Sequence, residues 1–337
     1  MGEIVLASAQ VNGDSILVTG SAGFIGFHVA QALLSQGAAV VGLDNFNDYY
    51  SPALKRARDQ QLRQFSNFTS IEGDLADLPG LERLFSDHRP QKICHLAAQA
   101  GVRYSLVNPF AYQKSNLEGF VNLIEMAKKS GVARFVYASS SSVYGGLTEM
   151  PFSEGQRVDT PISLYGATKR ANELMAYAYT YLFGLPTIGL RFFTVYGPWG
   201  RPDMAMWLFS EAMLQGRPIK VFNYGRMRRD FTYIEDIVQG VLASLTAGGL
   251  EPYEIINLGN CQPEDLGTVI ALLERELGVK ARQDLLPMQP GDVPATFADI
   301  DRAREKLGFQ PLTPIEVGVP LFVRWYLDYH GLARRGA

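Results

Sequence analysis

The sequence predicts an α/β protein built on a doubly wound parallel sheet with a smaller mixed C-terminal lobe, and three observations support this class. From Ser15 onward, short apolar and β-branched runs alternate with longer amphipathic stretches. The chain has 337 residues, 47% apolar and 19% charged, so it can bury a large core. After about Gly197, dense proline and glycine predict short elements joined by turns.

Six runs have the length and composition of buried strands. They are Ile16–Thr19, Ala39–Leu43, Thr69–Glu72, Lys92–Leu96, Arg134–Ala138 and Thr187–Arg191. Between them lie stretches with apolar residues at helical spacing, among them Gly26–Gln36, Leu117–Lys129 and Arg170–Tyr181. This alternation is typical of helices that cover both faces of one parallel sheet.

The change in composition after Gly197 also predicts the domain boundary. Residues 1–196 form the first domain, and residues 197–337 mainly form the lobe. Met204–Gln215 is predicted to be a helix of this lobe, and Thr232–Leu245 a further helix. Because residues 230–248 are expected to pack back on the first domain, the boundary is not a single cut.

Charge and cysteine content exclude several classes of protein. The 31 basic and 34 acidic residues leave a net charge of −3, so no overall positive field attracts nucleic acid or an anionic membrane. Cys94 and Cys261 cannot build a disulfide framework, and the dispersed histidines show no metal-ligand spacing. The apolar run Ile4–Ala9 is too short, and lacks the basic flank, for a signal peptide or membrane anchor. We therefore expect a cytoplasmic protein without a metal.

A glycine-rich loop joins the first predicted strand to the first predicted helix. Gly20, Gly23 and Gly26 have the spacing G-x-x-G-x-x-G, which lets the chain turn tightly and lets backbone N–H groups approach a pyrophosphate. The second predicted strand is followed by Asp44, 18 residues after Gly26. A carboxylate there accepts hydrogen bonds from an adenosine ribose and repels a 2′-phosphate. The pattern predicts a Rossmann-like site for NAD; a plain tight turn and a strand-end cap are the alternatives.

Tyr165 and Lys169 stand four residues apart at the start of a helical pattern, so they share one helix face. A free tyrosine has a pKa of about 10, and a neighbouring ammonium together with a positive nicotinamide ring would lower it. Ser140, in the run of serines at 139–142, follows another predicted strand and can hydrogen-bond a substrate oxygen. This predicts a site that moves a hydroxyl proton. A chance helix pair and a serine-rich turn are the alternatives.

Three long motifs make the pattern more specific. They are Asp44–Tyr50, Ala98–Ser105 and Arg191–Met204. Together with the glycine loop, the strand-end acid, the serine and the tyrosine–lysine pair, they resemble the extended branch of the short-chain dehydrogenase/reductase superfamily, and within it the UDP-glucuronate 4-epimerases. The resemblance covers nearly the whole chain.

This resemblance implies bound NAD in the first domain and a UDP-sugar in the lobe. It implies that Tyr165 is the base and that Ser140 and Lys169 assist it. The residues it implies as NAD contacts are Gly20, Gly23, Phe24, Ile25, Gly26, Asp44, Asn45, Asp74, Leu75, Leu96, Ala97, Ala98, Asn116, Tyr165 and Lys169. It further implies reversible epimerisation of UDP-glucuronate through a 4-keto sugar, and a homodimer formed by paired helices.

The substrate residues follow from the same resemblance. Arg229 takes the family's diphosphate-binding position. A 4-keto uronic acid loses carbon dioxide readily unless its carboxylate is fixed, and the groups suited to fixing it are Ser141, Ser142, Thr194 and Arg201.

At several positions the sequence differs from neighbouring enzyme families, and these differences argue against the reactions of those families. Dehydratases carry acids at the positions of Ser141 and Ser142, and UDP-glucuronate decarboxylases carry a glutamate at the latter. UDP-galactose 4-epimerases have asparagine in place of Thr194 and an arginine near Gln289. A neutral-hexose 4-epimerase and a non-catalytic nucleotide-sugar binder remain alternatives. The group that replaces the arginine near Gln289, and the role of Arg103, are left open.

Overall fold

The computed structural model describes Val11 and residues 13–333. The apolar run Ile4–Ala9 lies outside the described residues. Among the residues that are described, no helix is long and apolar enough to cross a membrane.

In chain order the strands are β1 Ser15–Thr19, β2 Ala39–Asp44, β3 Phe68–Glu72, β4 Lys92–His95, β5 Arg134–Ser140, β6 Thr187–Phe192, β7 Thr194–Tyr196, β8 Ile219–Val221, β9 Arg228–Tyr233, β10 Tyr253–Leu258, β11 Pro263–Asp265, β12 Gln283–Leu285 and β13 Ala295–Thr296. The helices are α1 Phe24–Ser35, α2 Pro52–Leu62, α3 Leu78–His88, α4 Tyr104–Val107, α5 Pro109–Tyr112, α6 Gly119–Lys129, α7 Leu164–Phe183, α8 Ala205–Leu214, α9 Ile234–Thr246, α10 Leu266–Leu277, α11 Asp301–Leu307 and α12 Ile315–His330. A π-helical turn, Gln113–Glu118, leads into α6, and 3₁₀ turns lie at Ser141–Tyr144 and Phe222–Gly225.

The central sheet has seven parallel strands in the order β3-β2-β1-β4-β5-β6-β10. The predicted α/β class and its six strands are confirmed. The seventh strand, β10, is not among the predicted strands, because it lies in the part of the chain assigned to the lobe. The strand order reverses between β1 and β4, and their register pairs Thr19 with His95. The carboxyl edge at such a reversal is where doubly wound sheets bind ligands.

Two apolar layers cover the sheet, as the alternation along β1 shows. Ile16 and Val18 are buried in one cluster with residues of α1 and α9. Leu17 points the other way, into a cluster with residues of α3 and α6. Burying one side chain of this size contributes roughly 1.5–3 kcal/mol to the stability of the fold. Packing on both faces therefore fixes the sheet and the loops at its carboxyl edge.

The lobe is a mixed layer of helices and small sheets. In one sheet β9 pairs with β7, β11 and β13, and in the other β8 pairs with β12. Buried Asp230 on β9 accepts hydrogen bonds from the backbone N–H groups of Asn260, Cys261 and Ala298. Because these residues follow β10 and β13, one carboxylate fastens the lobe's sheet to the end of the central sheet. The predicted helix at Thr232–Leu245 is present as α9, which packs against α1.

Candidate active site

The glycine loop lies tightly between β1, β4 and the start of α1. Gly20 has φ +71°, and a Cβ there would lie 2.7 Å from the backbone N of Ala97. A Cβ on Gly26 would lie 2.0 Å from the carbonyl oxygen of Gly20. Helix α1 begins at Phe24, and its first-turn N–H groups have no acceptor within the helix. This cradle, closed to side chains and lined with N–H donors, fits a pyrophosphate.

Asp44 lies where β2 ends and lines the cleft beside the glycine loop. Its Oδ2 accepts a hydrogen bond from the Ala22 N–H at 3.1 Å, and its Oδ1 accepts one from the Phe46 N–H at 2.9 Å. Burial raises the pKa of Asp44, while these two bonds and the charge of Lys55 oppose the rise. The carboxylate therefore caps the local backbone and also presents an acceptor to the cleft, which suits a ribose.

One cleft brings together nearly all the predicted cofactor residues. Those that line it are Gly20, Gly23, Phe24, Ile25, Gly26, Asp44, Asn45, Asp74, Leu75, Leu96, Ala97, Ala98, Tyr165 and Lys169. Asn116 does not line it. Its side chain accepts a hydrogen bond from the Gln99 N–H and donates to the Gln99 carbonyl and to Thr168 Oγ1, at 2.8 to 3.0 Å. These bonds use the amide group of Asn116 to hold Gln99, which does line the cleft.

Tyr165 and Lys169 enter the cleft from the first two turns of α7. The helix begins at Leu164 because the Ser163 side chain accepts a hydrogen bond from the Gly166 N–H, at 3.0 Å. Lys169 is 2% exposed and its Nζ donates to the Ala138 carbonyl at 2.9 Å. Burial lowers the pKa of Lys169 to about 8. Its ammonium is thus held against the end of β5.

The expected lowering of the Tyr165 pKa by Lys169 is not found. Burial raises the pKa of Tyr165, and a hydrogen bond with Ser140 and the charge of Arg201 only partly offset this rise. The phenol loses water in the cleft, and the Lys169 ammonium, which is bound to a backbone carbonyl, does not offset this loss. By itself the chain keeps the phenol protonated, with Ser140 beside it.

A buried charge network fixes the serine end of the site. Glu173 on α7 accepts hydrogen bonds from Arg191 Nε and Nη2 at 2.8 and 2.9 Å, and from Ser139 Oγ at 2.6 Å. The Glu173 and Arg191 side chains are almost completely buried, and Arg170 donates a fourth hydrogen bond to Glu173 at 3.0 Å. Since Ser139 directly precedes Ser140, this network fixes the backbone beside Ser140, the residue predicted to assist Tyr165. Arg191 is structural here, because its guanidinium is bound by Glu173 and Tyr144.

The predicted substrate residues do not all line the cleft. Arg201 lines the same cleft as Tyr165. Thr194 and Arg201 together line a depression next to it. Ser141 and Ser142, in the 3₁₀ turn after β5, line neither the cleft nor this depression. Arg229 also lies apart, where its guanidinium donates to the carbonyls of Val293 and Pro294.

Arg201 already has a partner. Its Nε lies 3.0 Å from Oδ1 of Asp203, and Tyr49 OH donates to Oδ2 of the same carboxylate at 3.0 Å. Burial disfavours the Arg201 cation, but Asp203 outweighs burial and raises the Arg201 pKa above its ordinary value. Burial likewise raises the pKa of Tyr49. The guanidinium that the sequence predicts for the substrate's acid group is therefore already paired with a carboxylate.

Sequence reasoning did not name several residues that line the cleft. They are Asn47, Tyr49, Tyr50, Lys55, Gln99, Phe192 and Met204. All but Lys55 belong to the three long motifs, so naming every residue of those motifs would have found them. Asp203, the partner of Arg201, belongs to the same motif as Arg191.

Arg103, whose role the sequence leaves open, pairs with Asp292 at 3.1 Å and lies over the Phe222 ring. The described residues contain no group of three or more side chains suited to a metal ion.

Comparison with known proteins supports this interpretation of the cleft. The model of the NAD dependent epimerase/dehydratase family matches residues 16–259. A UDP-glucuronate 4-epimerase of Arabidopsis thaliana is 48% identical over 342 residues, which cover 97% of this chain and 78% of the relative.

Two solved structures are similar over almost the full chain. UDP-glucuronic acid 4-epimerase of Bacillus cereus, solved with UDP-glucuronic acid and NAD, has a TM-score of 0.87 and 35% identity, covering 94% of this chain and 99% of that chain. UDP-glucose 4-epimerase of Thermotoga maritima, solved with UDP-glucose, has a TM-score of 0.85 and 32% identity, with the same coverage of both chains. The similarity therefore extends over both the glycine-loop end and the lobe.

Proposed function

The chain belongs to the NAD dependent epimerase/dehydratase family, and from this premise we propose that it interconverts UDP-glucuronate and UDP-galacturonate. The observation that carries the proposal is a single cleft with a dinucleotide cradle at one end and Tyr165, Ser140 and Arg201 at the other. The cradle fits NAD because Gly20 and Gly26 leave no room for side chains and Asp44 disfavours a 2′-phosphate.

In this proposal Tyr165 takes the proton of the sugar's 4-hydroxyl, and Ser140 hydrogen-bonds the same oxygen as the proton leaves. Bound NAD supplies a reversible hydride acceptor for carbon 4 and a positive ring that favours the phenolate. Lys169, which lies one helical turn further along α7 with its ammonium held by the Ala138 carbonyl, is assigned to assisting Tyr165 through the bound cofactor. The 4-keto sugar turns about its link to the diphosphate, and reduction of its other face inverts carbon 4. The diphosphate is assigned to Arg229, which in this role turns from the carbonyls of Val293 and Pro294 toward the substrate.

The carboxylate needs its own restraint, since a 4-keto uronic acid is a β-keto acid. Holding the bond between carbons 5 and 6 out of line with the carbonyl π system prevents loss of carbon dioxide. We assign this task to Arg201, with Thr194, Ser141 and Ser142 as hydroxyl donors. The adjacency of Arg201 and Thr194 supports the assignment.

One observation favours a second candidate, the 4-epimerisation of UDP-glucose. Asp203 already pairs with Arg201, so this end of the cleft carries little net charge, as would suit a neutral hexose. Under the first proposal the substrate carboxylate must share Arg201 with Asp203. The two candidates therefore differ in how strongly turnover depends on Arg201.

The test is product analysis with each sugar nucleotide. Purified protein without added NAD is incubated in D₂O with UDP-glucuronate or UDP-glucose, and the products are identified by chromatography and NMR. We expect UDP-galacturonate without deuterium at carbon 4, because the hydride returns from bound cofactor. Arg201→Met should lower turnover of UDP-glucuronate by about 10²-fold or more, the size of effect seen when a substrate is misplaced. The exposed Arg217→Met variant is the control.

Turnover of UDP-glucose alone would contradict the uronate assignment and favour the second candidate. A pentose nucleotide as the main product would contradict both candidates, because it requires loss of carbon 6.

We also propose that two copies of the chain pair through α7. Leu174, Tyr177 and Tyr181 are 53%, 53% and 78% exposed, and their spacing puts them on one helix face. Val121 on the adjacent α6 is 40% exposed as well. An apolar stripe across two neighbouring helices is typical of a surface that a second copy covers.

Light scattering after size-exclusion chromatography tests this pairing. The wild type should have twice the mass of one chain, and Leu174→Arg with Tyr177→Arg should have the mass of one chain, because buried unpaired charges oppose association. Leu312→Arg, at a 76% exposed position on the lobe, should leave the mass unchanged. A wild type with the mass of a single chain would contradict the proposal.

A further inference from the structure

Three successive carbonyl groups just before Arg201 are bound by side chains of the cofactor domain. His28 Nε2, on α1, lies 2.9 Å from the carbonyl oxygen of Pro198, and because a carbonyl only accepts, this nitrogen donates. Arg58 Nη2, on α2, donates to the carbonyls of Trp199 and Gly200 at 2.5 and 3.2 Å. The turn that carries Arg201 into the cleft is therefore held from the glycine-loop side.

This turn has a backbone that needs such support. Trp199 has φ +60°, a left-handed conformation that side chains other than glycine rarely adopt. Gly197 has φ +146°, and a Cβ there would lie 2.5 Å from Cγ2 of Ile234. A conformation of this kind persists only where surrounding contacts fix it. The bonds from His28 and Arg58 are contacts of that kind.

Arg58 also reaches the glycine loop. Its Nη1 donates to the carbonyl of Ala22, between Gly20 and Gly23, and to Tyr50 OH, each at 2.9 Å. Arg58 is 0% exposed, and all four of these bonds go to uncharged oxygens. A buried guanidinium bonded to uncharged groups is a costly way to fill a core position. What it provides is a rigid link between the glycine loop and the turn before Arg201.

His28 has the ionisation state that this link requires. Burial lowers the pKa of His28 to about 4, and the positive charge of Arg58 works in the same direction. At neutral pH the ring is therefore uncharged, and it can lie beside the arginine without repelling it. Its ring also contacts Phe24 and Phe27 edge-on, which fixes its orientation on α1.

We propose that Arg58, with His28, is a positioning residue that sets the place of Arg201 relative to the cofactor cradle and thereby keeps carbon 6 on the sugar. The inference rests on the proposed function, because it concerns the carboxylate that Arg201 holds. Arg58 acts through the turn carbonyls and does not itself line the cleft. A shift of the turn moves the guanidinium of Arg201, and the bond to carbon 6 can then line up with the carbonyl π system.

The consequence of such a shift is a defined side reaction. The bond between carbons 5 and 6 breaks, carbon dioxide leaves, and the electron pair stays on carbon 5, where a proton from water completes a 4-keto pentose. Return of the hydride to carbon 4 then gives a UDP-pentose. Release of the ketone before that return leaves the cofactor reduced, which is visible at 340 nm. The ratio of pentose to galacturonate products therefore measures how well the carboxylate is held.

The experiment compares Arg58→Met and Arg58→Lys with wild type, each as the purified holoenzyme. Arg56→Met, on the same helix but on a half-exposed side chain paired with Glu72, is the control. With UDP-glucuronate, Arg58→Met should raise the ratio of pentose to galacturonate products at least tenfold and lower kcat more than it raises KM. Arg58→Lys should restore part of the wild-type ratio, and Arg56→Met should match wild type. NAD content after denaturation and circular dichroism report on folding separately.

A second pair of variants covers the case in which Arg58→Met does not fold. His28→Gln keeps a donor for the Pro198 carbonyl, whereas His28→Phe removes it. We expect the product ratio to rise in His28→Phe and to stay close to wild type in His28→Gln. Folded variants with the wild-type ratio at both positions would overturn the inference and leave the proposed function standing. A wild type that makes no UDP-galacturonate would remove the proposed function and this inference together.

Discussion

Tyr165→Phe should abolish measurable turnover of UDP-glucuronate, since a positioned acid–base group contributes about 10²–10⁴-fold to the rate. The substitution removes only the hydroxyl beside Ser140 and keeps the ring, which lies edge-on to Tyr112 at 6.1 Å. Folding and NAD content should therefore be unchanged. Single-turnover kinetics with UDP-glucuronate, alongside the NAD content of the purified variant, measure the two effects separately.

Tyr179→Phe is the matched control, since it lies on the same helix, its hydroxyl bonds Glu125, and it does not line the cleft. It should keep wild-type turnover. If Tyr165→Phe turned over substrate at a rate within twofold of wild type, another group would have to be the base. Loss of NAD from the variant would instead point to a role of the phenol in holding the cofactor.

Glu173→Ala should lower the free energy of unfolding by about 3–5 kcal/mol, the effect of removing one partner from a buried ion pair. The change leaves Arg191 in the core with no carboxylate at Nε and Nη2, and it also removes the acceptor of Ser139. Urea unfolding of the holoenzyme measures the loss. Because Ser139 adjoins Ser140, turnover should fall in the variant as well.

Glu72→Ala is the comparison for stability. Its partner Arg56 is half-exposed, and an exposed pair of this kind contributes little to stability. A Glu173→Ala variant no less stable than Glu72→Ala would mean that water enters the space and solvates Arg191. The network would then not be what holds the serine end of the cleft.

Most of the sheet can be predicted from the sequence, because buried parallel strands appear as short apolar runs. The six predicted strands agree with the structure to within two residues at each end. Strand β10 is missed because its run, Tyr253–Leu258, stands among the turns of the lobe, and only tertiary pairing with β6 places it in the central sheet. The π-helical turn before α6 could not be predicted, because the spacing of apolar residues indicates only an ordinary helix.

The cofactor end of the site could be predicted more fully than the substrate end. Glycine spacing and a strand-end acid follow from local geometry, so most of the residues that line this part of the cleft can be named from the sequence. The contacts that individual side chains make cannot be named in this way. The pairing of Arg201 with Asp203, the use of Asn116 to hold Gln99, and the raised pKa of Tyr165 depend on burial and on neighbours that spacing does not reveal.

The two backbone bonds of Asp44 have a consequence for attempts to re-engineer the enzyme. Exchanging this acid for a neutral or basic residue is the usual way to admit a phosphorylated coenzyme, but here the same oxygens hold the Ala22 and Phe46 N–H groups. A single substitution would loosen the exit of β2 and the pyrophosphate loop together. A change of coenzyme preference in this scaffold therefore requires a replacement that still accepts both bonds, with the new positive charge supplied from a different position.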